Sequence, residues 1–528
     1  MELLPTAREE AFYQQEYLYL MMTKPSKHLI VSWSMQNCDG KEIRPSYLIR
    51  ELERLLPDVP ARTAKELYGG LNGLTGAGDG LDMLIEGLRG FLDGKEETWW
   101  QPLYRYYCGQ EGYGTPLQQI RDGLFYSWRT EALDREIAER LFEAEKANQV
   151  TRLEQYANCA YAHFLTYGLK LHPRKEHQLQ AADYGTIFHR AISGFFQKLK
   201  EQKLDWRAMT AAVRTELAGE CVREALQEYA NPVFESSARS RYAQTRLTRM
   251  TDRTLWALGE QWKCGSFDRI LDEYVFSDAR GNAVRLPLAD GLTLALQGRI
   301  DRIDLQETED AVYVKVIDYK TGQQSFDLGR AYHGLQLQLI LYLEAAMEME
   351  QRMRPQKTIV PAGIYYYHLS DPLVDGMGKT EKEQDDLRLK SLRLDGLTNE
   401  DPAVYSRIDP SGGQVIRGME SRKAGGLKAG APAGSAKQFA MLRNYAKKKA
   451  AKLAEAMYRG EIDAQPGEYA GTDACEWCEY QAICAFDLRT EGCRRRRLER
   501  LSKDDIWNRI DEEEQNGGSV DKGTKTGN

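Results

Sequence analysis

The stretch that decides the fold is Gly298 to Gly322, which reads GRIDRIDLQETEDAVYVKVIDYKTG. Valine occupies every second position from 312 to 316, and this period of two predicts a β-strand. Continuing the alternation places Asp318 and Lys320 on the valine face. A carboxylate and an ammonium on an apolar face are costly unless something pairs with them. The stretch therefore predicts a strand that carries a charged site.

The preceding run, residues 292–305, also has the character of a strand, and the polar residues 306–312 predict a turn. If Gln306 pairs with Tyr313, the antiparallel register places Asp301 opposite Asp318, with Cβ atoms roughly 5 Å apart. Like charges at that distance destabilise the pair. A divalent cation would relieve the conflict, because hard oxygen ligands suit Mg²⁺ or Mn²⁺. The alternative is a surface hairpin with solvated charges.

Composition bounds the class of protein. The 528 residues are 42% hydrophobic and 10% aromatic, which predicts a globular protein of two to four domains. The net charge of -7 implies that any contact with DNA uses local basic patches. No run of about 18 apolar residues occurs, so we expect no membrane span. Nine cysteines, an odd and modest number, indicate a reducing, cytoplasmic setting.

Pattern shifts along the chain predict its organisation. Residues 1–56 contain a helix at 9–19, a strand at 28–33 and a helix after Pro45, which cannot close a core alone and so indicate the end of a larger domain. Residues 57–145 predict a helical connecting region whose aromatic residues pack together, the alternative being a base-stacking platform. Residues 146–500 predict an α/β domain. Within it we expect a long mobile insertion at 373–436, and residues 501–528 predict a polar tail.

Several polar residues of the third region lie on predicted elements. A helix over 150–169 would carry Cys159, and a helix beginning at residues 185–186 would turn His189 inward, either as a core histidine or as a ligand. Glu273 lies in a strand-like run. A helix over 331–349 would place Gln338 and Tyr342 on one face.

The carboxyl-terminal cysteines have metal-site spacing. Cys475, Cys478 and Cys484 lie within ten residues, and Cys159 or Cys493 could supply a fourth ligand. Spacing alone does not separate zinc from an iron–sulfur cluster, and free reduced cysteines are the alternative. The adjacent run Arg494–Arg497 predicts a solvated or DNA-facing surface.

Four motifs occur together in a characteristic order: GTIFH at 185–189, GRID at 298–301, DYKTG at 318–322 and QLILY at 338–342. In this combination the chain resembles the RecB-family nuclease domain of the PD-(D/E)XK superfamily. The resemblance implies a mixed central sheet flanked by helices. It further implies that His189, Asp301, Asp318 and the carbonyl of Tyr319 bind Mg²⁺ or Mn²⁺. Lys320 would act in catalysis and Gln338 and Tyr342 would position DNA or the lysine, with Glu273 as a further ligand.

The cysteines narrow the resemblance. A cysteine upstream of the histidine motif, with a C-terminal CxxCx5C, is similar to the AddB-type subunits of AddAB-type helicase–nucleases. By that resemblance Cys159, Cys475, Cys478 and Cys484 hold a [4Fe–4S] cluster and Cys493 is spare. The family usually has Cys-Pro-aromatic where this chain has Cys159-Ala160-Tyr161.

The same resemblance implies a biological setting. Residues 1–56 resemble the last part of a helicase-like domain, and no phosphate-binding Gly-x4-Gly-Lys-Ser/Thr loop occurs, so no ATPase motif is expected. The implied activity is metal-dependent DNA exonuclease at double-strand ends and on single strands, in a heterodimer with an AddA-type helicase–nuclease subunit that serves recombinational repair. The alternatives are a stand-alone RecB-like or Cas4-like exonuclease and a catalytically silent DNA-binding scaffold subunit.

Overall fold

The computed structural model describes residues 6–38, 40–68, 73–128, 132–143, 147–172, 174, 181–229, 234, 238–289, 291–322, 324–410, 412–420, 427–428 and 430–519. The chain divides into two compact units, Met1–Tyr126 and Ser127–Asn528. None of the described helices has the length and apolar character that crossing a bilayer requires.

The first unit is helical over its described residues. Its helices are α1 Ala7–Thr23, α2 Tyr47–Leu55, α3 Ala64–Tyr68, α4 Ala77–Leu92, α5 Trp100–Cys108 and α6 Gly114–Leu124. Tyr107 is buried in a small core, against which Trp99, Trp100 and Tyr104 pack, so these aromatic residues form a helical layer. The strand predicted at 28–33 is wrong: these residues have no strand assignment, and Ile30 is 90% exposed.

The second unit begins earlier than the predicted boundary at residue 146, because Ala138 and Phe142 are buried in its core. Its first half contains α7 Arg135–Leu141, β1 Asn148–Gln149, α8 Val150–Asn158, α9 Ala160–His163, α10 Ala181–Glu201, α11 Ala211–Tyr229, α12 Ala238–Cys264, β2 Arg269–Phe276, β3 Val284–Pro287, β4 Thr293–Glu307 and β5 Ala311–Lys320. Its second half contains α13 Leu328–Tyr332, α14 Gln338–Met353, β6 Thr358–His368, α15 Glu381–Ser391, β7 Asp395–Asn399, α16 Pro402–Tyr405, β8 Ala433–Gly434, α17 Ala436–Tyr458, β9 Gly467–Tyr469, β10 Thr472–Asp473, α18 Gln481–Cys484, β11 Arg496–Leu498 and α19 Lys503–Ser519.

A mixed sheet forms the centre of this unit. The strand order is β1-β4-β5-β6-β7-β8, and β2 and β3 also pair with β4. β4 and β5 are antiparallel, and the predicted pairing of Gln306 with Tyr313 is confirmed. β5 and β6 are parallel and are connected through α14, as a crossover connection requires. The predicted mixed α/β fold is therefore confirmed.

β5 is buried on both faces. Val312, Val314 and Val316 pack into a core with α14 and α17, whereas Ile317 and Tyr319 pack into a second core with α10, α11 and α12. The alternation therefore turns Asp318 and Lys320 toward α14. A solvated surface hairpin is excluded, since Asp318 is only 3% exposed.

Two predicted segments differ from the structure because short polar elements complete the sheet and the core. Residues 373–436 are not an irregular insertion: they supply β7 and β8, and Leu394 and Ile416 are fully packed in the second core. Residues 501–519 are not a tail, because α19 packs Ile506, Trp507 and Ile510 into the first core. Residues 520–528 lie outside the described part of the chain.

Three predicted helices have different bounds. The helix over 150–169 is interrupted at Cys159, whose extended backbone (φ -157°, ψ 113°) separates α8 from α9. The helix over 331–349 is two helices, interrupted around Gly334, whose φ of 85° suits glycine. The helix predicted to begin at residue 185 begins at Ala181.

Candidate active site and thiol cavity

Three carboxylates and a histidine meet beside the central strands. Glu273 on β2, Asp301 on β4 and His189 on α10 place one ligand atom each within 4.8 Å of one another. The His189 Nδ1 atom is 3.2 Å from Asp301 Oδ1. Asp318 lies at the continuation of the β4–β5 register, one position beyond the Arg302–Ile317 pair. The structure therefore brings Glu273 into the predicted group.

The backbone at Glu273 departs from a regular strand. Its flanking residues pair normally with β4, Asp272 with Arg302 and Tyr274 with Ile300. Glu273 itself has a φ of 48°, a left-handed conformation that non-glycine residues adopt rarely. Such conformations persist only when the surroundings enforce them, and they occur often at functional sites.

Lys320 is held by a chain of polar contacts. Its Nζ lies 2.6 Å from Asp318 Oδ2 and donates to Gln338 Oε1 at 3.0 Å. The amide nitrogen of Gln338 donates to the Tyr342 hydroxyl at 3.1 Å. The two residues therefore share one face of α14, as predicted, and their shared target is the ammonium of Lys320.

Asp301 is also fixed by the neighbouring strand. Its Oδ2 accepts the backbone N–H of Tyr319 at 2.8 Å. The ring of Tyr319 is buried in the second core, 6.0 Å from the His189 ring between centroids. The structure thus places the Tyr319 backbone at the site, while a metal-binding role for its carbonyl stays a prediction.

The carboxylates perturb one another. Burial raises the pKa of Asp318 to about 6, with the Asp301 charge adding and Lys320 opposing. Burial likewise raises the pKa of Glu273 to about 7, with a further contribution from Asp301 and opposition from Arg299, 2.6 Å away. For His189, burial lowers the pKa, but the hydrogen bond and charge of Asp301 outweigh it and the net pKa is raised. Crowded carboxylates of this kind favour a cation in their midst.

These groups line an open cleft of about 930 Å³. Arg190 and Arg299 also line it, so positive charge borders the acidic centre. Gly298 keeps the wall open: a Cβ there would stand 2.9 Å from the Phe276 ring and 3.1 Å from the Tyr342 ring. The arrangement can accommodate a phosphodiester against both acidic and basic groups.

A second site lies at the carboxyl-terminal cysteines. Cys159, Cys475, Cys478 and Cys484 line one cavity of about 140 Å³, and Cys493 is absent from its lining. Burial raises the pKa of Cys475 to about 12, with further contributions from Asp473 and the other three thiols, and that of Cys484 to about 11. The structure therefore brings together the four predicted thiols and leaves out the predicted spare one.

Internal contacts replace part of the predicted arginine surface. Arg495 pairs with Asp473 at 2.7 Å, and the guanidinium of Arg496 donates to the carbonyl of Ala157 near the end of α8. These two arginines hold the thiol cavity together rather than facing solvent alone.

Glu154 makes a contact that sequence reasoning missed. Its Oε1 accepts the backbone N–H groups of Leu337 at 2.6 Å and Gln338 at 2.8 Å, across more than 180 residues. Its only sequence signal is its place on a helix beside the buried Leu153, which does not distinguish it from a surface glutamate.

Comparison with known proteins places these motifs in a family. A family model described as the PD-(D/E)XK nuclease superfamily matches residues 150–485. Three curated relatives, each named as the B-type component of an ATP-dependent helicase/deoxyribonuclease, are similar to nearly the whole chain. The Lachnoclostridium phytofermentans protein is 35% identical over 100% of this chain and 46% of its own length. Those of Desulforamulus reducens and Clostridium perfringens (strain SM101) are 31% and 29% identical, each over 97% of this chain and 45% of their own.

The chain spans about half the length of the curated relatives it matches. The family model covers more than half of the chain and includes both the acidic cleft and the thiol cavity. The chain therefore belongs to the PD-(D/E)XK nuclease superfamily.

Proposed function

We propose that this chain carries the metal-dependent deoxyribonuclease site of a helicase–nuclease complex. The observation that carries the proposal is the convergence of His189, Glu273 and Asp301 within 4.8 Å, beside the Asp318–Lys320 ion pair in an open cleft. A buried group of like charges is unfavourable in an isolated fold and is typical of a site that holds a cation.

The residues present fit a divalent cation. His189, Asp301, Asp318 and the Tyr319 carbonyl would hold it, with Glu273 as a further ligand, and this oxygen-rich set suits Mg²⁺ or Mn²⁺. When bound, the cation supplies an activated water at neutral pH and charge neutralisation at the scissile phosphate.

The protein's own groups do the remaining work. Lys320 places a fixed positive charge at the edge of the carboxylate group, where negative charge would develop on the phosphate. Gln338 orients the ammonium, and Tyr342 orients Gln338. Arg190 and Arg299 border the cleft and would attract the DNA backbone.

The thiol cavity fits a [4Fe–4S] cluster as a structural link. A single tetrahedral zinc ion needs its sulfurs about 3.8 Å apart, given Zn–S bonds of about 2.3 Å. Among the described residues, the ligand atoms found within 4.8 Å of one another are those of His189, Glu273 and Asp301, and no three of these cysteines are that close. The wider spacing supports a polynuclear centre, which would tie Cys159 to the carboxyl-terminal loop.

The setting of the reaction follows from the relatives' names. A B-type component of an ATP-dependent helicase/deoxyribonuclease implies a helicase partner, which we propose is an AddA-type subunit in a heterodimer. The substrate would be DNA at double-strand ends and on single strands, processed in the cytoplasm for recombinational repair.

The test is degradation of linear DNA with Mg²⁺ by the wild type and by Asp318→Ala. We expect the wild type to degrade DNA and Asp318→Ala to lose about 10³-fold or more of the rate. The matched control is Asp310→Ala, an exposed carboxylate in the turn of the same hairpin, which should keep full activity. DNA binding without cleavage by the wild type would instead support the scaffold alternative, and cleavage without any partner would support a stand-alone exonuclease.

A further inference from the structure

Helix α14 has no cap of its own at the end that enters the active site. Its N-cap residue, Leu337, offers no side-chain hydrogen bond to the first turn. The amides of Leu337 and Gln338 are instead satisfied by a single carboxylate oxygen of Glu154 on α8. A negative group at a helix N-terminus satisfies exposed N–H donors and opposes the positive end of the helix dipole.

The residue fixed by this contact is the one that holds the lysine. Gln338 is the first residue of α14, and its amide oxygen accepts from Lys320 at 3.0 Å. The carboxylate that pairs with Lys320 is Asp318. If the first turn of α14 frays, the ammonium loses the amide and is drawn toward that carboxylate.

The same helix also reaches the thiol cavity. α8 ends at Asn158, directly before Cys159, and Arg496 donates to the carbonyl of Ala157. Glu154 therefore lies on a short rigid element with the first thiol at its end and the start of α14 against its side.

We propose that Glu154 is a positioning residue of the nuclease site, which holds the start of α14 so that Gln338 keeps the ammonium of Lys320 in place. This inference rests on the proposed function for its catalytic consequence. It assigns Glu154 no contact with the metal or with DNA.

The experiment compares Glu154→Ala, Glu154→Gln and Gln155→Ala with the wild type. Gln155 is the neighbour on α8, and its side chain donates to Thr166 instead, so it controls for loosening of the helix. In Mg²⁺-dependent cleavage of linear DNA, Glu154→Ala should lower kcat about 10- to 100-fold with KM for DNA within about twofold, as expected for a misplaced catalytic group. Glu154→Gln keeps an acceptor oxygen and should recover most of the rate.

A second readout does not depend on activity. In hydrogen–deuterium exchange, the amides of Leu337 and Gln338 should exchange about 2- to 30-fold faster in Glu154→Ala, the range that corresponds to loss of an N-terminal cap. Exchange in Gln155→Ala should match the wild type there. Unchanged exchange, or an unchanged kcat in Glu154→Ala, would overturn the proposal. An inactive wild type would count against the proposed function, and the exchange measurement would still decide whether Glu154 holds α14.

Discussion

At the level of single residues, the centre of the molecule is a set of charges that oppose one another. Asp318 and Glu273 both have raised pKa values because burial and the Asp301 carboxylate disfavour their ionised forms. Lys320 offsets part of this conflict at 2.6 Å from Asp318. The same lysine is the group that we expect to act on the phosphate.

Replacing that lysine tests its role directly. Lys320→Gln should lower kcat about 10²- to 10³-fold, the usual range for loss of one group that stabilises transition-state charge. DNA affinity should change little, because the cleft keeps Arg190 and Arg299. Single-turnover cleavage and equilibrium binding to the same labelled DNA separate the two effects. Lys263→Gln, at a half-exposed ion pair on α12, is the control and should behave as wild type.

The pH dependence of stability provides a second prediction. Burial raises the pKa of Glu154 to about 7 from its ordinary value of 4.5, so the folded state holds this proton more tightly than the unfolded state. The stabilisation is complete below pH 4.5 and is lost as pH rises toward 7, by at most about 3 kcal/mol. Urea unfolding of Glu154→Gln should therefore show a flatter decline than wild type between these pH values. An equal slope in both proteins would contradict the assignment.

How much of the site could be predicted depended on periodicity. The valine alternation in β5 is strong enough to give the register of Gln306 with Tyr313, and that register places Asp301 beside Asp318. The positive φ of Glu273 and the long-range contact of Glu154 have no such pattern, because both depend on how distant elements pack.

At the level of elements, β4 shows why a glycine begins the hairpin. Gly298→Ala would drive a methyl group against the rings of Phe276 and Tyr342. We expect a loss of about 1–3 kcal/mol in unfolding free energy, typical of overpacking, and a lower cleavage rate as Tyr342 shifts. Gly322→Ala is the control, since no atom lies within 4 Å of a Cβ at that end of the hairpin. Equal thermal unfolding of the two variants would argue against this account.

The helices show the limits of local pattern. Apolar spacing predicted the extent of α17 well, but the breaks at Cys159 and Gly334 were missed. Neither break interrupts the apolar spacing around it. They arise because the chain must turn, in one case to present a thiol and in the other to bring Gln338 to Lys320.

At the level of the whole molecule, sequence composition misjudged the segments that complete the core. β7 and β8 are short and contain glycine, aspartate and asparagine, and α15 has no buried residue, so residues 373–436 resemble a loop by composition. They become ordered because neighbouring strands and α12 cover them. The same holds for α19, where Ile506, Trp507 and Ile510 supply one apolar face in an otherwise polar run.

The thiol cavity predicts a global effect of a local change. Cys478→Ala should lose the brown colour and bound iron and should lower the unfolding free energy by about 2–5 kcal/mol, by analogy with a cross-link that closes a long loop. Cys493→Ala should keep both colour and iron, since Cys493 does not line the cavity. Visible absorption, iron content and thermal unfolding measure these outcomes. A colourless wild type that retains zinc would refute the iron–sulfur assignment, and full thermal stability of Cys478→Ala would refute the structural role.

The separation of these cysteines also orders events during synthesis. Cys159 leaves the ribosome about 316 residues before Cys475 (159 to 475), an interval of roughly 15–60 s at about 5–20 residues per second. For that time α8 exists without the loop that closes over its end. Assembly of the cluster must therefore wait for nearly the last part of the chain, so a truncated translation product that ends before residue 475 would be born without it.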